Sequence, residues 1–394
     1  MLYESYVREY ARLFRTFDRN MWNYEDGCVL IGLQAMYEAT GDRFYYDAIC
    51  SFMDRYIEAD GSIRGYDSSE YNLDRIPNGR VLFLLYRTTG ERRYRVAATH
   101  LMDQLRAQPR VKAGNYWHKA IYPDQVWLDG LYMALPFYAL YERDFGSGDG
   151  YEDIVSQFES VMRHLYDDAS GLCYHAWDES RKIFWADKRT GLSPNFWSRS
   201  IGWFLMAAAD VYELLPSDRQ PLKDRLFAVW KKAMDGMLAY QDAESGMFYQ
   251  LTALKDEPGN YLETTGTLMT AFSSLKGVRF GLFPEGYAEA AMKALLGTES
   301  RKFVFKDGCL SLDGMCVGAG LGPDGNFKRD GSVRYYLSEA VVPDEQKGAG
   351  VAMMAYAEYL KAQSAGALLQ DYPKVRIFKK KYPAILPTDP DFVP

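Results

Sequence analysis

One carboxylate stands out because everything around it is apolar. From Val126 to Leu140 the chain reads Val-Trp-Leu-Asp-Gly-Leu-Tyr-Met-Ala-Leu-Pro-Phe-Tyr-Ala-Leu, polar only at Asp129, the pattern of a helix buried on all sides. An unpaired carboxylate is expensive to bury, so Asp129 must be hydrogen-bonded, shifted in pKa, or open to a wet cavity. The last option gives a general acid or base. A structural aspartate bonded to nearby backbone or side chains is the competing reading of the same spacing. Pro123 and Asp124 predict the helix start, which puts Asp129 about a turn inside, with Gln125 on the same face.

Other polar residues could share a cavity with it. Asp74 stands at the mouth of a second apolar helix, where an N-cap is the plain alternative. His118 and Lys119 precede the Asp129 helix and could equally be surface residues. His175 lies in a long loop between Tyr174 and Trp177 and could border a ring or simply pack. Trp197-Ser198-Arg199-Ser200-Ile201-Gly202-Trp203 opens another apolar helix. A cation just inside a helix N-terminus opposes the dipole, so Arg199 requires an anionic partner: a substrate uronate, Asp74 or Asp129. Gly314 to Gly325 holds too many glycines for a helix and matches no complete phosphate loop; it reads as a rim loop.

These residues are spread along an alternating series of elements. Amphipathic stretches at 1–16, Tyr45–Ile57, Glu91–Leu105, Tyr151–Tyr166, Pro221–Tyr240 and Tyr287–Leu296 alternate with more uniformly apolar ones. The latter are Gly27–Ala39, Asp74–Tyr86, Val126–Tyr141 (with Pro136 as a kink), Trp197–Leu215, Tyr261–Leu275 and Gly348–Leu360. A pair every ~50–70 residues is a repeat architecture. Six wet and six dry helices predict an all-α, toroidal (α/α)6 barrel, dry helices inside. Links leading into the inner helices are long and carry short strand-like pieces, such as Gly61–Gly65, Gly171–His175 and Gly246–Tyr249, whereas Thr40-Gly41-Asp42 and Thr88-Thr89-Gly90 are tight returns. The long loops and the inner-helix N-termini therefore share one rim, a setting that favours an anionic ligand. Residues 1–370 form one catalytic domain in this reading. The tail 371–394, with five prolines and Lys379-Lys380-Lys381, is assigned no function.

Composition narrows the classes. The net charge is −7 without a long basic block, which argues against nucleic acid as a partner. No apolar run reaches ~18 residues, so no membrane span is expected. Five scattered cysteines form no CxxC pair, and four dispersed histidines form no HxxxH or HExxH, so neither a metal nor another cofactor is expected. Unpaired thiols and a charged N-terminus point to the cytoplasm. No GxSxG elbow, Walker loop or dinucleotide fingerprint occurs. The 31 Tyr, 21 Phe and 8 Trp suit stacking on sugars and also ordinary cores.

Tyr-Pro-Asp-Gln-Val-Trp-Leu-Asp-Gly-Leu-Tyr-Met (122–133), preceded by His118-Lys119 and followed by Phe196-Trp197-Ser198-Arg199-Ser200-Ile201-Gly202-Trp203, resembles the unsaturated rhamnogalacturonyl hydrolases of glycoside hydrolase family 105. The likeness runs from about Trp22 to Leu360. It implies that Asp129 is the general acid/base and that Asp74, His118, Lys119, His175, Trp197 and Arg199 line the sugar pocket. It adds Trp22, Tyr24 and Trp203 as an aromatic rim, and it implies an unsaturated uronyl oligosaccharide substrate for a monomer or homodimer. The region after Gly314 matches more loosely.

The chemistry implied is unusual in needing one carboxylate. Ordinary glycosidases flank the glycosidic bond with two. A lyase product carries a C4=C5 double bond conjugated to its carboxylate and ring oxygen. Protonation at C4 and addition of water at C5 give a hemiketal that opens and releases the aglycone. One group that donates and then accepts a proton serves both steps. The apolar surroundings and Asp74 would raise the pKa of Asp129; the helix N-terminus and Arg199 would lower it. Three alternatives stay open: an unsaturated glucuronyl hydrolase on the same barrel, an epimerase or isomerase using His118 and His175 as its pair, and a non-catalytic saccharide-binding protein.

Overall fold

A computed structural model describes residues 1–17, 21–306 and 308–368; the tail 371–394 lies outside them. Among the described residues the helices are α1 (Leu2–Phe14), α2 (Tyr24–Thr40), α3 (Arg43–Met53), α4 (Arg80–Thr89), α5 (Arg92–Ala107), α6 (Leu128–Asp144), α7 (Tyr151–His164), α8 (Ser198–Leu214), α9 (Gln220–Leu238), α10 (Thr264–Arg279), α11 (Glu285–Lys302), α12 (Val333–Ser338) and α13 (Gln346–Ser364). Contacts run from α2 to α4, α6, α8, α10 and α13, and from α13 back to α2, closing an inner ring. Helices α3, α5, α7, α9 and α11 back α2, α4, α6, α8 and α10, and α1 backs α13. This is the (α/α)6 barrel that the alternation predicts. Burial follows the pattern that produced it. Inner α8 is buried at fifteen of its positions from Ser198 to Leu214. Outer α7 buries Ile154, Val155, Phe158 and Val161 and leaves Glu152 and Arg163 in solvent.

The ring is tight where small residues allow it. A Cβ on Gly350 would stand 2.3 Å from the Cys28 carbonyl oxygen, and one on Gly32 would stand 2.7 Å from the Gly350 carbonyl. Helices α2 and α13 therefore meet backbone to backbone, and no other residue fits there. The tight returns work as their sequences suggest. Gly41 (φ 72°) ends α2 and Asp42 accepts from the Phe44 amide to start α3; Gly90 (φ 72°) ends α4.

Several boundaries differ from the sequence reading. Helix α6 begins at Leu128, not at Pro123, because Asp124 turns left-handed (φ 60°) and Gln125–Trp127 pairs antiparallel with Ala176–Asp178. Asp129 thus lies in the first helical turn, and Gln125 belongs to a strand. Helix α4 begins at Arg80: Leu73–Arg75 and Pro77–Gly79 are tight 3₁₀ turns, the first capped by Asn72 rather than Asp74. The Trp22 indole donates to the Arg75 carbonyl (2.7 Å) and holds that turn to the α2 entrance. Helix α10 begins at Thr264, since Leu262–Glu263 pairs with Phe248–Tyr249. Helix α11 runs on to Lys302, α12 was not expected, and α6 continues through Pro136.

At the rim of the tight returns, the inner helices end around a cavity of about 250 Å³. Its wall is an ion network. Asp210 of α8 takes Arg80 of α4 and Lys276 of α10, both at 2.6 Å, and Lys276 also reaches Glu213 at 2.6 Å. Arg279 then joins Glu213 to Glu358 of α13. Lys276 and Arg279 lie in the last turn of α10, where cations suit the negative dipole end, and Arg80 reaches in from the first turn of α4, so the network fastens four inner helices at one rim and leaves the other for the site.

Candidate active site

The long-loop rim is laced together by backbone hydrogen bonds. The Leu73 amide donates to the His118 carbonyl (3.1 Å), the His118 amide to Gln125 (3.2 Å), and the Leu128 amide to His175 (3.1 Å). The Ser198 amide donates to Gln250 (3.0 Å) and the Thr264 amide to Gly314 (3.0 Å). The entrances of α6, α8 and α10 are thereby tied to residues of neighbouring loops, which fixes the side chains that follow.

Asp129 and His175 meet at this rim. The His175 Nε2 lies 3.2 Å from Asp129 Oδ2, yet the alignment is poor and neither buried atom makes a hydrogen bond among the described residues. An oxygen placed so is uncommon for a buried carboxylate. On its other side, His175 Nδ1 is 2.7 Å from the Tyr336 hydroxyl. Its ring leans on Trp197 (4.9 Å) and edge-on against Trp127 (5.4 Å). Asp129 keeps 14% of its side chain open, so a ligand can reach it.

Asp74 is differently placed. Lys119 Nζ reaches its Oδ2 at 2.5 Å and His118 Nε2 its Oδ1 at 3.4 Å. Burial pushes its carboxyl up, but Lys119 first and then His118 outweigh that and hold it below the ordinary range. Asp74 in turn raises the Lys119 ammonium against the opposing effect of burial. His118 lies flat on Trp127 (4.6 Å between centroids), and burial brings its pKa down to about 4 in spite of Asp74. At neutral pH this imidazole is uncharged.

Arg199, 2% exposed, has no ion pair to either aspartate. Its guanidinium stacks over Trp197 (4.7 Å) and Nη1 donates to the Cys316 carbonyl. Its Nε is buried and makes no hydrogen bond among the described residues. Burial opposes its charge, and the negative groups around it, Glu263 and Glu345 among them, favour it enough to keep it protonated. Trp197 is pinned by its indole N–H to Gln250 Oε1 (2.9 Å). Tyr24 lies beneath Lys347 (5.3 Å), its phenol pushed up by burial and close enough to Asp74 and Arg199 to feel both.

Two expected aromatics do not join this group. Trp22 is 0% exposed and spends its N–H on Arg75. Trp203, 1% exposed, stacks on Tyr132 (4.6 Å) inside the barrel wall. Sequence reasoning in turn passed over Trp127, which touches both histidines, and Tyr336, 161 residues from its partner His175. It also missed Glu263, whose carboxylate accepts the Gly266 amide (2.5 Å) and the Cys316 amide (3.1 Å) and so locks the strand that holds Arg199. Trp127 was visible inside the apolar run; Tyr336 and Glu263 carried no local signal. Among the described residues no cluster of three His, Cys, Asp or Glu could hold a metal, no helix is long and apolar enough to cross a membrane, and all five cysteines are free.

Residues 4–363 match the model of Glycosyl Hydrolase Family 88. A family 105 glycoside hydrolase from C. acetobutylicum ATCC 824 is 41% identical, with 91% of this chain and 99% of that one covered and a TM-score of 0.86. The Bacillus subtilis (strain 168) protein named unsaturated rhamnogalacturonyl hydrolase YesR is 25% identical over 289 residues, 72% of this chain and 78% of its own. The unsaturated glucuronyl hydrolase of Bacillus sp. GL1 shares the fold, with a TM-score of 0.64 at 16% identity over 92% of this chain and 96% of that one. On the family match and the 41% identity together, the chain belongs to the family 88 and family 105 glycoside hydrolases.

Proposed function

We propose that this protein removes the 4,5-unsaturated uronic acid from the non-reducing end of lyase-generated oligosaccharides, with unsaturated galacturonyl-rhamnose as its substrate, and that Asp129 supplies and recovers the proton. One observation carries the reading: of the two aspartates at the rim, Asp74 is occupied by Lys119 and His118, whereas Asp129 Oδ2 is buried without a hydrogen bond. A site with one available carboxylate cannot run a two-carboxylate displacement. It can hydrate a double bond.

Arg199 is suited to the substrate carboxylate, because its buried Nε makes no hydrogen bond among the described residues. Asp129 protonates C4, and positive charge develops at C5 and the ring oxygen. The Asp129 carboxylate then takes a proton from the water that attacks C5. The C5–O5 bond of the hemiketal breaks, leaving a ketone at C5 and a hemiacetal at C1. That hemiacetal expels the aglycone as an alcohol, so one water is consumed overall. His175, held by Tyr336, lies 3.2 Å from Asp129 Oδ2, close enough to donate to the carboxylate once the proton has left, and Trp197 borders the ring.

The YesR relative's name supports a rhamnose-linked galacturonyl substrate over a glucuronyl one, and the five free thiols support a reducing compartment, the cytoplasm. An epimerase pair is disfavoured because His118 and His175 both pack on the Trp127 indole and His118 has no readily protonated state. The test is a comparison of two disaccharides that differ only at C4=C5. The unsaturated one should release rhamnose and the saturated galacturonyl-rhamnose should remain intact. Comparable release from both would overturn the proposal.

A further inference from the structure

Tyr336 belongs to α12, a helix that no pattern in the sequence announces, and being fully buried it can act only through a neighbour. That neighbour is His175. The Tyr336 hydroxyl lies 2.7 Å from His175 Nδ1, while the other ring nitrogen, Nε2, faces Asp129.

The contact is held from both ends. The Asn195 carbonyl accepts the His175 amide (3.4 Å), and the Asn195 side chain donates to the Gly331 carbonyl (2.7 Å). Gly331 turns left-handed (φ 72°) there, and a Cβ on it would stand 2.8 Å from Pro194. Ser332 then caps α12 by accepting the Tyr335 amide (3.1 Å). Gln250, whose Oε1 already holds Trp197, donates through Nε2 to the Tyr336 carbonyl (3.4 Å). Asn195 and Gln250 thus set the hydroxyl against the imidazole across 161 residues of sequence.

The direction of the bond follows from a count of protons. Burial pushes the Tyr336 phenol well above its ordinary range, so the hydroxyl keeps its proton. A buried hydroxyl proton needs an acceptor, and among the described residues it meets none besides Nδ1. Nδ1 therefore accepts, and the ring's own proton sits on Nε2. There it points towards Asp129 Oδ2, 3.2 Å away. In the opposite tautomer a nitrogen lone pair would face Oδ2 and could take the acid proton of Asp129 for itself.

We propose that Tyr336 is a positioning residue that holds His175 in its Nε2–H tautomer, so that His175 stabilises the Asp129 carboxylate and cannot intercept the proton meant for C4. Oδ2, shut in beside His175, stays an acceptor throughout, which leaves Oδ1 as the oxygen that serves the substrate. The proton leaves Oδ1 for C4, the electron pair of the C4=C5 bond forms the new C–H bond, and His175 keeps its own proton. The inference rests on the reaction proposed above and assigns its proton to one oxygen.

The experiment reads the tautomer directly. In protein labelled with ¹⁵N at histidine, nitrogen shifts separate a protonated ring nitrogen from one with a lone pair, and His175→Asn identifies the His175 signals among the four histidines. Wild-type His175 should show a protonated Nε2 and an unprotonated Nδ1 at neutral pH. Tyr336→Phe removes one hydroxyl and keeps the ring. It should mix the tautomers and lower kcat on the unsaturated disaccharide by about 3–10-fold, with KM nearly unchanged. A proton on Nδ1 in the wild-type protein overturns the inference without any variant. So does a Tyr336→Phe protein that melts like the wild type and keeps its His175 signals or its kcat. Wild-type protein that shows the Nε2–H tautomer yet leaves the disaccharide intact overturns the reaction, and with it the role given to Tyr336, while the tautomer stands.

Discussion

Asp129→Asn should lower kcat on the unsaturated disaccharide by about 10²–10⁴-fold, with little change in KM or melting temperature. The amide has the shape of the carboxyl but neither delivers a proton to C4 nor takes one from water. Stability should hold because Asp129 Oδ2 has no hydrogen bond to lose. Its nearest polar neighbour, His175 Nε2 at 3.2 Å, can face an amide oxygen as readily as a carboxylate. Steady-state kinetics alongside thermal unfolding separate two outcomes. A variant that retains wild-type turnover removes Asp129 from the chemistry; one that unfolds makes it a structural residue.

The second large effect is predicted at the opposite rim and concerns stability. Asp210, 4% exposed, holds both Arg80 and Lys276. Asp210→Ala leaves two buried cations without their shared anion, a change of the kind that costs about 3–5 kcal/mol. Burial raises the Asp210 carboxyl, but Lys276 and then Arg80 outweigh it and hold it below its ordinary 3.8. A carboxyl with a depressed folded pKa contributes stability fully above the unfolded value and loses it as the pH falls through the folded value. The gap between wild type and variant should therefore be widest at neutral pH and narrow on acidification below 3.8. Glu213, brought down to about 2 chiefly by Lys276 against burial, should reinforce the trend. Urea unfolding across pH measures it; a gap that is small at neutral pH, or that widens in acid, would contradict the role given to the network.

The legibility of the chain followed the range of the interactions. The ring of alternating helices was readable because burial all round and burial on one face leave different periodicities, as in α8 and α7. Helix starts were misread where distant strands decide them. Pro123-Asp124 looks like a helix entrance until Gln125–Trp127 pairs with Ala176–Asp178, and no local signal announces that pairing. Asp74, His118 and Lys119 could be singled out by type and motif, but the Asp74–Lys119 ion pair with His118 beside it is tertiary. The same holds for Arg199. Its position at a helix N-terminus correctly indicated that something must compensate it, yet the compensation found is a carbonyl, an indole face and Glu263 behind the strand, not Asp74 or Asp129. Trp22 and Trp203 show the converse: their aromatic character said nothing about which way they face, and one is spent on the turn at the α2 entrance, the other inside the wall.

The central claim, that release begins with proton transfer to C4 and not with displacement at C1, is tested most directly by running the reaction in D₂O. The account predicts that the ultraviolet absorbance of the conjugated double bond disappears as the aglycone is released, and that the uronate product carries one solvent deuterium on C4. Release of an uronate that keeps its double bond and carries no deuterium would contradict it.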